Sequence, residues 1–233
     1  MGLKGSLRNV STGVSAIPDS AVAQYDATEL SLSNNETVTN WPDNIGSADA
    51  TGGDPLFIDD VQNENGVVRF DNDNDFLDAG GPVLEPPYTI LCVAGNIPLS
   101  SGDNTILSTF DSSEFFARLE PRGNGAFVFI TSGDNPQTIS GINEGDTFHL
   151  ISILTRDTGT ERGTIKVDGA NKRTVDDIGG SEIQIIRLGN ASFGNRPLDG
   201  DICEVICYNQ NLEDSQQLAE EEARLSDKWG ISI

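Results

Sequence analysis

Basic residues are what this chain lacks most. Fourteen lysines and arginines stand against 37 acidic residues, and only four are lysines: Lys4, Lys166, Lys172 and Lys228. No basic patch able to neutralise a phosphate backbone is present, which argues against nucleic acid as a partner. Histidine occurs once, as His149, and cysteine three times, as Cys92, Cys203 and Cys207. A structural zinc site needs four ligands with a close pair among them, so no such cluster is expected. Three cysteines cannot all pair. Cys203 and Cys207 fall in one extended segment, about 13 Å apart at ~3.3 Å per residue, which is too far for a disulfide. Buried free thiols are expected instead. No run of 18 apolar residues occurs, so no membrane-spanning helix is predicted. Met1 to Ser6 lacks the apolar stretch of a secretory signal, and assembly in the cytoplasm is expected.

What is abundant is acid. The net charge of −23 is spread as singles and short clusters, not gathered into a tail. In dilute buffer such a surface repels itself. In molar salt the Debye length falls to roughly 3 Å and most of the repulsion is screened. The pattern reads as adaptation to a hypersaline solvent, the rival being an ordinary acidic protein or an acidic decoy. The first 18 residues run against it: they carry Lys4 and Arg8 and no acid, whereas the remainder sets twelve basic against 37 acidic residues. Residues 1–18 are therefore read as a docking segment, with Leu3, Lys4, Leu7 and Arg8 as the docking residues, and residues 19–233 as one domain.

Within that domain the apolar period is two. Tyr88 to Ala94 and Phe148 to Thr155 are apolar on both faces and read as central strands, while Ile165 and Val167 alternate with polar neighbours before the turn Asp168-Gly169. Further strands are predicted over 67–70, 105–109, 115–119, 126–131, 182–188 and 201–208. Many short strands separated by turn signals predict an all-β, two-sheet antiparallel jelly-roll sandwich. One helix is predicted near the C-terminus, about 214–228. Asp214 or Ser215 caps it, Leu218, Leu225 and Trp229 form its apolar stripe, and Gly230 ends it.

Several stretches in order now resemble a family: Ala23-Gln24-Tyr25-Asp26-Ala27, Val38 to Gly46 around Trp41-Pro42-Asp43, Val67-Val68-Arg69-Phe70-Asp71 with Asp75-Phe76-Leu77, and Tyr88-Thr89-Ile90. Phe148-His149-Leu150, Val167-Asp168-Gly169, Leu198 to Ile206 and Tyr208 to Leu212 follow, leading to Lys228-Trp229-Gly230. Over about 210 residues the sequence resembles the laminin-G-like members of the concanavalin-A-like lectin/glucanase superfamily. The resemblance implies a two-sheet jelly roll with a short C-terminal helix, and places Trp41 and Trp229 in the core. It leaves function open, because the superfamily holds lectins, glycosidases and inert modules.

The nearest match to a glycosidase motif is Asp199-Gly200-Asp201-Ile202-Cys203-Glu204. In a regular strand Asp199 and Asp201 share a face and Glu204 points away unless a bulge intervenes, so no catalytic residue is assigned. Asp71-Asn72-Asp73-Asn74-Asp75 is acidic enough for a cation, but Phe76 and Pro82 stand where an EF-hand loop needs Gly and Glu. A solvated turn is expected, with Asp71, Asp73 and Asp75 kept as metal candidates and calcium or magnesium as the one cofactor considered. His149 is expected to be a hydrogen-bonded structural residue. Asn9, Asn35 and Asn190 lie in glycosylation sequons, read as chance in the absence of a secretion signal. The expected role is a non-catalytic, homo-oligomeric virion surface protein of a tailed virus infecting halophilic archaea. It would be a capsid turret or tail appendage, docked to other virion proteins through residues 1–18 and touching host glycans. The alternatives are a secreted or cell-surface calcium-dependent carbohydrate-binding module and, behind it, a glycoside hydrolase.

Overall fold

The computed structural model describes residues 20–98, 104–110, 115–122, 126–131, 137–140, 145–156, 163–175, 182–191 and 196–233. The elements, in chain order, are β1 (Ala21–Asp26), β2 (Glu36–Thr37), β3 (Asn40–Trp41), β4 (Ala50–Gly52), β5 (Leu56–Gln62), β6 (Asn65–Asp71), β7 (Leu77–Leu84), β8 (Thr89–Ile97) and β9 (Leu107–Phe110). They continue with β10 (Phe115–Arg122), β11 (Ala126–Thr131), β12 (Gln137–Ser140), β13 (Gly145–Thr155), β14 (Gly163–Val167), β15 (Asn171–Val175), β16 (Ile183–Leu188), β17 (Asp199–Tyr208) and the helix α1 (Gln216–Trp229).

Two antiparallel sheets result. One runs β15-β14-β13-β8-β17-β6-β5-β2, and β1 lies beside the C-terminal half of β17; the other runs β12-β11-β10-β9-β16-β7-β4-β3. The expected all-β sandwich with one C-terminal helix is what forms, and the strands predicted from alternation all appear, with ends shifted by a few residues. The β14–β15 hairpin pairs Val167 with Asn171 across a three-residue loop, in which Asp168 and Gly169 both take positive φ (50° and 64°).

Alternation sorts the faces. Val68, Phe70, Ile90, Cys92, Ala94, Ile151, Ile153, Ile202, Val205 and Cys207 of the nine-stranded sheet are buried. They pack toward Trp41, Leu77, Ala79, Ile186 and Leu188 of the other sheet in one continuous core. Gly189 lies so close to the Phe70 ring that a Cβ there would sit 2.1 Å from it, which ties the two sheets at one end. All three cysteines are free and buried, as expected, and burial pushes the Cys92 thiol up to about 12.

The helix covers the outer face of the nine-stranded sheet. Ser215 caps it by accepting a bond from the Leu218 amide, and Gly230 ends it in the left-handed conformation. Leu218, Leu225 and Trp229 are buried, as the stripe predicted. Glu221 and Glu222 are buried too, which helical periodicity alone did not indicate. No helix among the described residues is long and apolar enough to cross a membrane.

Candidate functional site

Among the described residues, the places that bear most on function are the carboxylates of β17, the acidic turn between β6 and β7, and the outer face of the eight-stranded sheet. In β17 the register against β8 slips between Ile202 and Glu204, so that Asp201 opposes Gly95 and Glu204 opposes Val93. Cys203 is the extra residue of a β-bulge, and the bulge turns Glu204 onto the face of Asp201. The two carboxylates thus share a face, the condition that regular alternation withheld.

Sharing a face does not make them available. Asp201 is fully buried and grips Arg69 bidentately, Nε donating to Oδ1 at 2.7 Å and Nη2 to Oδ2 at 2.8 Å, while Asn96 Nδ2 donates to Oδ2 at 2.9 Å. Glu204 accepts from Gln24 Nε2 (2.7 Å), Arg224 Nη2 (3.0 Å), Lys228 Nζ (2.8 Å) and Trp229 Nε1 (3.0 Å). Burial opposes the ionisation of Glu204, but Lys228 and Arg224 outweigh it and hold the carboxyl below its ordinary value. Every carboxylate oxygen of the pair already carries a bond inside the protein. Glycoside hydrolysis needs instead two carboxyls with substrate space between them, one of them able to hold a proton.

The acidic turn has its own internal bonds. Asn72 and Asn74 take positive φ (67° and 65°); the Asp73 amide donates to Asp71 Oδ1 at 3.1 Å, and the Asp54 and Asp71 amides donate to Asp75. Asp75 is buried, and burial together with the nearby Asp71 pushes its carboxyl up from the ordinary aspartate value. Among the described residues no three histidine, cysteine, aspartate or glutamate side chains are placed to hold a metal. His149 is buried, and its Nδ1 lies 2.6 Å from Asp168 Oδ2, as a hydrogen-bonded structural residue should. Leu3, Lys4, Leu7 and Arg8 lie outside the described residues.

Asp43 is a residue that the sequence offered without a role. Its Oδ1 accepts from the amides of Gln24, Ile45 and Gly46 and its Oδ2 from that of Ala48, which pins the 43–48 loop to β1. The signal was present as Trp41-Pro42-Asp43-Asn44, an aspartate opening a turn.

On the outer face of the eight-stranded sheet, Arg187 of β16 and Asp78 of β7 are directly opposed. Nε donates to Oδ1 and Nη2 to Oδ2, both at 2.7 Å. The guanidinium also stacks 4.3 Å above the Phe76 ring centroid. A Cβ built at Gly52 would lie 2.8 Å from that ring, so its position is fixed by backbone packing. This array is partly open to solvent. Sequence reasoning missed it because no strand was predicted over β7 and the pair joins positions 109 residues apart.

With this geometry in hand, comparison with known proteins gives a fold. The sequence matches no protein-family model and no curated protein. Among solved structures, the Trypanosoma rangeli sialidase is similar with a TM-score of 0.60 at 14% identity over 94% of this chain and 34% of that one. The binding domain of botulinum neurotoxin serotype D is similar with a TM-score of 0.63 at 11% identity over 92% and 55%. The receptor binding domain of botulinum neurotoxin type G follows at 0.57 and 15% identity, over 84% and 54%. The likeness is one of fold. The chain spans about a third of the sialidase and about half of each neurotoxin domain.

Proposed function

We propose that this chain is a non-catalytic carbohydrate-binding module carried on the surface of a virion in a hypersaline setting, as a turret or tail appendage docked through residues 1–18. The observation that carries the binding half is the shared sandwich: 92% of the chain superposes on a domain named for binding, and another neighbour is a sialidase solved with sialic acid. The satisfied carboxylates of β17 support the non-catalytic half, since Asp201 and Glu204 are each locked by cations. The setting is supported by charge alone, a basic strip of 18 residues on a strongly acidic domain. Weak single sites become effective when many copies face one surface.

A glycan array in molar NaCl, read for both retention and product release, tests the module. Retention of a subset of glycans without hydrolysis is the expected result. Hydrolysis abolished by Asp201→Asn would make the chain an enzyme, and chelator-sensitive retention would favour the calcium-dependent alternative. Deleting residues 2–16 tests the anchor: the domain should stay folded and no longer join particles. Normal incorporation of the truncated chain would remove the docking role.

A further inference from the structure

We propose that a neutral sugar ring sits on the outer face of the eight-stranded sheet directly over Gly80, hydrogen-bonded by Asp78 and Arg187. This rests on the glycan-binding reading and gives it a site. The starting point is a glycine that neither a steric clash nor a positive φ requires. Gly66 and Gly95 must lack a side chain, because a Cβ would lie 2.3 Å from the Phe57 ring and 2.4 Å from the Thr147 carbonyl oxygen. Gly80 is exposed, does not take a positive φ, and has no described heavy atom within 4 Å of the Cβ it lacks. Glycine inside a strand weakens it, and where neither conformation nor packing requires one, close approach of a ligand remains as a reason.

The surroundings fit a sugar. The cross-strand partner of Gly80 is the half-buried Ile185, and two residues along the same face the opposed pair is Asp78 with Arg187. These four positions form a patch about 5 Å by 7 Å in β-sheet geometry, the footprint of one pyranose ring. Ile185 offers an apolar floor for ring C–H groups. The guanidinium has five N–H donors, of which Asp78 takes those of Nε and one of Nη2; the rest, beside the lone pairs left on the carboxylate, offer adjacent donors and acceptors. Vicinal hydroxyls, each both donor and acceptor, complement that alternation. Because Asp78 neutralises Arg187, no uncompensated cation is left for a carboxylated sugar. The register slip between Ile183 and Ile185 against β7 puts a bulge beside the patch, a common device for opening a sheet face at a site.

The experiment compares wild type, Gly80→Thr and Asp78→Asn in molar NaCl by thermal melting, glycan array and titration with the strongest neutral glycan. Gly80→Thr should melt no lower than wild type, since threonine suits a strand, and lose at least about tenfold in affinity, or ~1.4 kcal/mol. Asp78→Asn keeps the shape and should lose a similar factor, which carries the test if the threonine variant does not fold. Unchanged affinity in both variants would place the sugar elsewhere and overturn this site while leaving glycan binding intact. A wild type that retains only sialylated or uronate glycans would overturn the neutral specificity. A wild type that retains no glycan removes the functional reading and this site with it.

Discussion

Glu204 shows how much one residue can be made to hold. Its carboxylate, with no exposed side-chain surface, joins β17 to β1 through Gln24 and to α1 through Arg224, Lys228 and Trp229. Removing one partner of a buried ionic network leaves the others uncompensated, at a cost of about 3–5 kcal/mol. Glu204→Leu should therefore lower the melting temperature by roughly 6–20 °C in a domain of this size. The pH dependence has a definite sign. A carboxyl held below its ordinary value of 4.5 stabilises the fold above that value, and the contribution is lost as pH falls through the folded-state value. Wild type should lose stability on acidification below about pH 4.5, and Glu204→Gln should flatten that limb. Melts from pH 7 to pH 3 with parallel acid limbs in the two proteins would refute the assignment.

At the scale of elements, the sequence was legible where a local pattern decides and opaque where a distant partner does. Strands β8 and β13 were readable as short runs apolar on both faces, and β14 by its alternation. The short β2, β3 and β4 carry too few residues for a period, and β7 hid behind its Gly-Gly-Pro. In α1 the caps and the apolar stripe were visible, but the burial of Glu221 and Glu222 was not. Glu222 is paired with Lys166 of β14 at 2.6 Å and accepts from Ser152 of β13 at 2.8 Å, while Glu221 is held by Arg224 at 3.0 Å. The strand partners lie more than fifty residues away, so no helical period could announce them. The bulge at Cys203 belongs with these: the sequence stated the condition under which Glu204 would turn, and only the pairing with β8 showed that the condition is met. Of the candidate site, the β17 carboxylates were legible, while the Asp78–Arg187 patch depends on two strands 109 residues apart.

Among the described residues, six of the scarce cations are held by acids, three of them partly open to solvent. Arg69, Arg156, Lys166, Arg187, Arg224 and Lys228 are all paired with acids at 2.5–3.0 Å. Two of the four lysines are committed this way, which leaves the solvent-facing charge overwhelmingly negative. Short, partly buried pairs are less affected by salt than repulsion between charges spread across an exposed surface. The melting temperature should therefore fall progressively as NaCl is lowered from molar to about 0.1 M, where the Debye length grows to about 10 Å. An unchanged midpoint across that range would rule out the hypersaline reading.

The placement of β17 also sets a schedule. It stands between β8 on one side and β6 and β1 on the other, and residues 21–26 meet partners near 204–208. Until residue 208 has left the ribosome, β13–β8 and β6–β5 are two fragments with no strand to join them, and β1 has nothing to pair with. At ~5–20 residues per second that interval is roughly 10–40 s. During this time open β edges stand unpaired, and a mutually repelling acidic chain is well suited to keeping such half-sheets from finding one another before the closing strand arrives.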